Sequence, residues 1–147
     1  IDPTWSKLSR EVLIRKLKRR MRVVKRHKKG YESLIEYLKH GGVLEIKTPS
    51  KEMLIGYLKK GIPPIIILSS TALWKCIRRV PETSKPSDVR GKNISHYVVV
   101  SGYEDDRFII TDPHWRYSKK GVYKVSTNDL LFSWYFHGGW MLIIEKR

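Results

Sequence analysis

An α+β fold is the expectation for this chain, and three observations carry it. Apolar residues recur at helical spacing through the first part of the sequence, short β-branched runs bounded by turn residues fill the rest, and one such run returns on itself through an acidic turn. Helices first and an antiparallel sheet afterwards is the α+β order rather than the alternating one. With 147 residues the chain has enough length for one domain, 1–147, with a real core.

Leu13, Leu17, Met21 and Val24 set a helical stripe from Ser9 onward. Arg15, Lys16, Lys18, Arg19, Arg20 and Arg22 lie between them and continue into Lys25, Arg26, Lys28 and Lys29, so a basic amphipathic helix is expected to end near Gly30. A second helix is expected over Tyr31 to Lys39, stopped by Gly41-Gly42, and then a short strand from Val43 to Lys47. Thr48-Pro49-Ser50 opens a third helix that buries Leu54, Ile55 and Leu58 and ends at Gly61. Pro63-Pro64 forbids its continuation, and Ile65 to Leu68 reads as a buried strand. Thr71 to Arg79 reads as a helical turn and Pro81 to Asn93 as an exposed loop.

The later part is more regular. His96 to Tyr103 and Arg107 to Asp112 are strands joined by Glu104-Asp105-Asp106, followed by a loop from Pro113 to Lys120 and a strand from Gly121 to Val125. Thr127 is placed to cap a helix over Asp129 to Tyr135, Gly138-Gly139 breaks it, and Trp140 to Ile144 closes the sheet.

The net charge of +16 favours acidic partners, among them nucleic acid, anionic lipid or an acidic protein. Arg19, Arg20, Arg22 and Lys25 are the residues that would make such a contact. A solvated helix back is the plainer reading of the same residues, and a lysine-rich, thermophile-like surface is the plainer reading of the charge. No apolar run is long enough to span a membrane. The lone Cys76 excludes an internal disulfide and fits a reducing, cytoplasmic compartment without requiring one.

Alternation along a strand puts His96, Val98, Val100 and Gly102 on one face, and Phe108, Ile110 and Asp112 on one face of the returning strand. A hairpin centred on Glu104 places His96 directly opposite Asp112, where a carboxylate can fix one imidazole nitrogen and leave the other as a base. A plainer reading makes His96 a strand-entry residue and Asp112-Pro113 an ordinary strand-ending turn. A third reading adds His114 to the pair as a two-histidine, one-carboxylate metal set, although the spacing matches no strong motif.

His96-Tyr97-Val98-Val99-Val100-Ser101-Gly102-Tyr103 followed by Phe108-Ile109-Ile110-Thr111-Asp112-Pro113 resembles the signature of the double-glycine leader peptidases and their relatives. Gly61-Ile62-Pro63 leading into Ile65 to Leu68 resembles the segment that precedes the histidine there. The resemblance implies a papain-like fold, with N-terminal helices packed on a C-terminal antiparallel sheet, and a peptide or protein substrate. It implies His96 as catalytic base, Asp112 as orienting acid, and neither metal nor cofactor.

The nucleophilic Cys-Gly-Pro-like motif and its preceding Gln have no counterpart: the sequence contains no Gln, and Cys76 follows the Ile65 strand. Ile1-Asp2-Pro3-Thr4-Trp5 resembles the loop after the nucleophile helix, which implies that the helix precedes Ile1. The other possibility is a relative without peptidase activity. Without that helix an apolar sheet face would lie open to self-association or to the missing segment, and this chain alone would be inactive. Trp115 and Tyr117 are candidate cleft residues.

Overall fold

Helix-forming periodicity and strand-forming alternation separate along the chain much as the sequence suggests, in a computed structural model that describes residues 1–24, 27–114 and 121–145. Two compact units result, Ile1–Thr48 and Pro49–Arg147.

In the first unit, α1 (Arg10–Val23) starts where Ser9 Oγ accepts the amide of Val12, as an N-cap must to satisfy an orphan donor. Leu13 and Leu17 are buried against Ile35 and Leu38 of α2 (Lys28–Lys39). The basic helix therefore stops before the expected Gly30. Val24, which ends α1, is extended (φ −99°, ψ 103°), His27, which precedes α2, is left-handed (φ 65°), and Gly30 falls inside α2. Lys25 lies outside the described residues. The expected strand from Val43 to Lys47 is absent: the segment is irregular, anchored by the Tyr37 hydroxyl on the Val43 carbonyl. Gly42 lets the Tyr37 ring lie close, since a Cβ there would meet the ring and displace it.

In the second unit, α3 (Lys51–Lys59) is capped by Ser50 Oγ on the amide of Met53, and the Pro63-Pro64 stop leads into β1 (Ile65–Ser69). Strands β2 (Ser95–Glu104), β3 (Arg107–Thr111), β4 (Val122–Ser126) and β5 (Met141–Leu142) complete an antiparallel sheet ordered β4-β3-β2-β1-β5. The expected helical turn is shorter, α4 (Ser70–Leu73), and the last strand is only two residues long. Helix α5 (Thr127–Phe136) is capped by Ser126 rather than Thr127: Ser126 Oγ accepts the amide of Asp129, while the Thr127 hydroxyl is spent on the Asp106 carbonyl.

One face of the sheet is dry. Ile66, Leu68, Val98, Val100, Phe108, Ile110 and Val125 pack with Leu54, Leu73, Leu130 and Trp134 from the helices. A shallow groove of about 270 Å³ is lined by Ile65, Tyr97, Val98, Val99, Thr111, Asp112 and Pro113. No described helix is long and apolar enough to cross a membrane.

Candidate active site

The hairpin register differs from the expected one in a way that matters to His96. A two-residue turn at Asp105-Asp106, both with positive φ, pairs Glu104 with Arg107, Tyr103 with Phe108 and Gly102 with Ile109. A regular ladder from that turn would put odd-numbered β2 residues on the face of Ile110. A β-bulge at Ser101 absorbs one residue, and Val100 then pairs with Ile110 and Val99 with Thr111. The even-numbered set His96, Val98 and Val100 thereby joins the buried face with Ile110 and Asp112, and the bulge moves Gly102, expected on the same face, off that set. His96 pairs with Leu68 of β1 and lies beyond the end of β3, so it meets Asp112 diagonally and not as a directly opposed pair.

The contact is nonetheless made. His96 Nε2 donates to Asp112 Oδ1 at 2.7 Å, the carboxylate being an acceptor only. The Asp112 side chain is wholly buried, whereas 15 % of the His96 side chain is exposed. Among the described residues no hydrogen bond reaches His96 Nδ1. A buried carboxylate is costly unless its oxygens are bonded, and here both are. Oδ1 also accepts the His114 amide at 2.7 Å, and Oδ2 accepts the Tyr123 hydroxyl at 2.6 Å. Charge-assisted bonds of this kind hold the carboxylate in one orientation and the imidazole with it.

Two of these partners were not singled out in the sequence. Tyr123 pairs with Ile110 across β3 and β4 and so faces the same side as Asp112. Its parity with the buried Val125 is the signal that could have found it. Trp74, in the turn after α4, donates from Nε1 to the Tyr123 hydroxyl at 3.3 Å, and its ring lies 5.1 Å from that of His96. Nothing in the local sequence foretells that contact, which depends on how α4 folds back from β1. Behind the pair, the Asp112 amide donates to the Gly121 carbonyl at 2.6 Å. Gly121 has a positive φ of 66°, and a Cβ there would also approach the Asp112 carbonyl to 2.8 Å, so both the conformation and the space favour glycine.

His114 comes close to His96, with ring centroids 6.1 Å apart. Among the described residues no group of three His, Cys, Asp or Glu is arranged to hold a metal ion. Cys76 is exposed, just past the left-handed Lys75. Trp115 and Tyr117 lie outside the described residues.

Helices preceding an antiparallel sheet, in which a hairpin seats an imidazole on a buried carboxylate, are the architecture of a papain-like, peptidase-related α+β domain. The model of the Peptidase_C39 like family matches residues 21–139, most of the chain. The chain belongs to that family. No curated protein and no solved structure matches it.

Proposed function

We propose that His96 and Asp112 are the base and orienting acid of cysteine-peptidase chemistry on peptide or amide substrates. In that reaction a thiol not supplied by these 147 residues gives its proton to His96 Nδ1 and attacks the carbonyl carbon, and the imidazolium protonates the leaving amine. Water, deprotonated by His96, then releases the acyl group and restores the thiol. Asp112 stays ionised, fixes the Nε2–H tautomer and stabilises the imidazolium. The 2.7 Å bond from Nε2 to a carboxylate with no exposed surface is the observation that carries this reading. The family match, which runs through both compact units from residue 21 to 139, supports treating 1–147 as one functional domain.

The thiolate is not Cys76 in this reading. Cys76 is exposed just past the turn after α4, and among the described residues no hydrogen bond joins its thiol to His96, the base a nucleophile needs within reach. These 147 residues alone are therefore expected to be silent towards peptides, including substrates with a Gly-Gly leader end.

Nitrogen-15 NMR of the histidines tests the pair directly. The expected spectrum has neutral His96 as the Nε2–H tautomer, with the preference lost in Asp112→Asn. A dominant Nδ1–H form in the wild-type chain would sink the assignment. Peptide hydrolysis that requires a reductant and vanishes in Cys76→Ser would overturn the claim of silence.

A further inference from the structure

We propose that the outward stripe of α1 binds the phosphate backbone of double-stranded DNA without sequence preference. Arg15, Lys18, Arg19 and Arg22 stand at the i, i+3, i+4, i+7 spacing that gathers side chains on one helix face, and all four are exposed. They line a shallow groove of about 460 Å³ together with Ile14 and Glu11, the latter in the first turn of the helix. Among the described residues no ion pair joins any of the four cations to a carboxylate. Arg20, three places from Leu17, falls to the flank of the stripe.

Four clustered positive groups that make no ion pair among the described residues favour an external anion, and the geometry narrows what supplies it. The helix rises 1.5 Å per residue, so Arg15 to Arg22 spans about 10 Å. B-form DNA presents one phosphate per ~1.7 Å of axis, about six over that length. A membrane surface fits less well. An interfacial helix must bury an apolar face in lipid, but the apolar face of α1 is already packed, with Leu13 and Leu17 against Ile35 and Leu38. Single strands fit less well too, because no aromatic side chain interleaves with the cations to stack on bases. The major groove of B-DNA, about 12 Å wide, admits a helix between its phosphate rows, whereas the deep, narrow groove of A-form RNA does not.

Fluorescence anisotropy with a labelled duplex of about 24 base pairs, titrated with the full chain at several salt concentrations, tests this. Four phosphate contacts give a slope of log K against log salt of about −3.6, a fall of roughly 150-fold between about 50 and 200 mM. The combined variant Arg15→Gln, Lys18→Gln, Arg19→Gln and Arg22→Gln should weaken binding at least tenfold at the lower salt and nearly abolish the slope. A control variant of equal net charge, Lys59→Gln, Lys85→Gln, Arg90→Gln and Lys92→Gln, should stay within about twofold of wild type. If the combined variant loses its helical circular dichroism, Arg19→Gln alone should reduce the slope by about 0.9. Equal loss in the control variant would reduce the effect to net charge and overturn the proposal. So would equal or tighter binding of a single strand or duplex RNA, or a preference for phosphatidylserine vesicles over the duplex.

Discussion

At Asp112 three donors satisfy a buried carboxylate, and the two that are side chains, on His96 and Tyr123, can be removed separately. Tyr123→Phe deletes the hydroxyl that Oδ2 accepts, with almost no change in volume. It leaves one buried carboxylate oxygen without its partner, which should cost about 1–3 kcal/mol. Urea unfolding should show a lower midpoint at unchanged m, and a midpoint within error of wild type would mean that water or another donor replaces the phenol. Gly121→Ala probes the same group from the backbone side. The left-handed φ of 66° and the 2.8 Å approach to the Asp112 carbonyl together oppose a Cβ. Strain at such a position is of order 1–3 kcal/mol. The variant should be destabilised by about that amount, and the His96 tautomer preference should weaken as Asp112 is displaced. Loss of stability with an unchanged tautomer would separate the turn from the site.

At the scale of elements, the β2–β3 hairpin shows what can and cannot be read from letters. Alternation grouped His96 with Val98 and Val100, and Asp112 with Phe108 and Ile110, and the Ile65, His96, Arg107 and Gly121 runs were all legible as strands, because period-two burial is written directly into residue type. Register was not legible. It depends on whether Glu104, Asp105 and Asp106 make a two- or three-residue turn and on where an extra residue bulges out, and Ser101 has no side chain that announces a bulge. The Val43–Lys47 strand failed for a related reason: β-branched residues favour strand only when a neighbouring strand offers a ladder, and none pairs with that segment. Tyr123 and Trp74 reach the site through tertiary packing, which no local pattern encodes.

The hairpin turn carries its own test. Asp106 accepts Lys51 Nζ at 2.6 Å and the Tyr103 hydroxyl at 2.7 Å, and these bonds hold its carboxyl below the usual range. A carboxyl depressed by folding contributes stability that is present above its unfolded pKa, about 3.9, and is lost as pH falls through the lower folded value. Stability measured from about pH 5 downward should therefore fall less steeply in Asp106→Asn than in wild type, because that variant has already lost the contribution. The difference should be small, since this exposed pair is screened by solvent. Parallel acid limbs would show that the pair contributes nothing measurable.

For the whole molecule the deciding quantity is the net charge of +16. Residues 1–48 hold 14 Lys and Arg against five Asp and Glu, so the excess is greatest in the helical unit. Within α1, Arg15–Arg19 and Lys18–Arg22 are like-charged i, i+4 pairs, each unfavourable by a few tenths of a kcal/mol. Six Lys–carboxylate pairs among the described residues oppose this repulsion, but exposed pairs are worth only about 0–1 kcal/mol each and salt weakens them as well. Salt therefore pulls in two directions, and the sign of its effect tells which is larger. At about 10 mM the screening length is near 30 Å and every cation feels the others; at about 150 mM it is near 8 Å and only close neighbours interact. A surplus of 16 charges has far more long-range repulsion to lose than six local attractions. Tm should rise between these two sodium chloride concentrations, and the rise should shrink in the variant that neutralises Arg15, Lys18, Arg19 and Arg22. A Tm that falls with salt would mean that the six local pairs outweigh the surplus, and that the basic surface costs the fold nothing to carry.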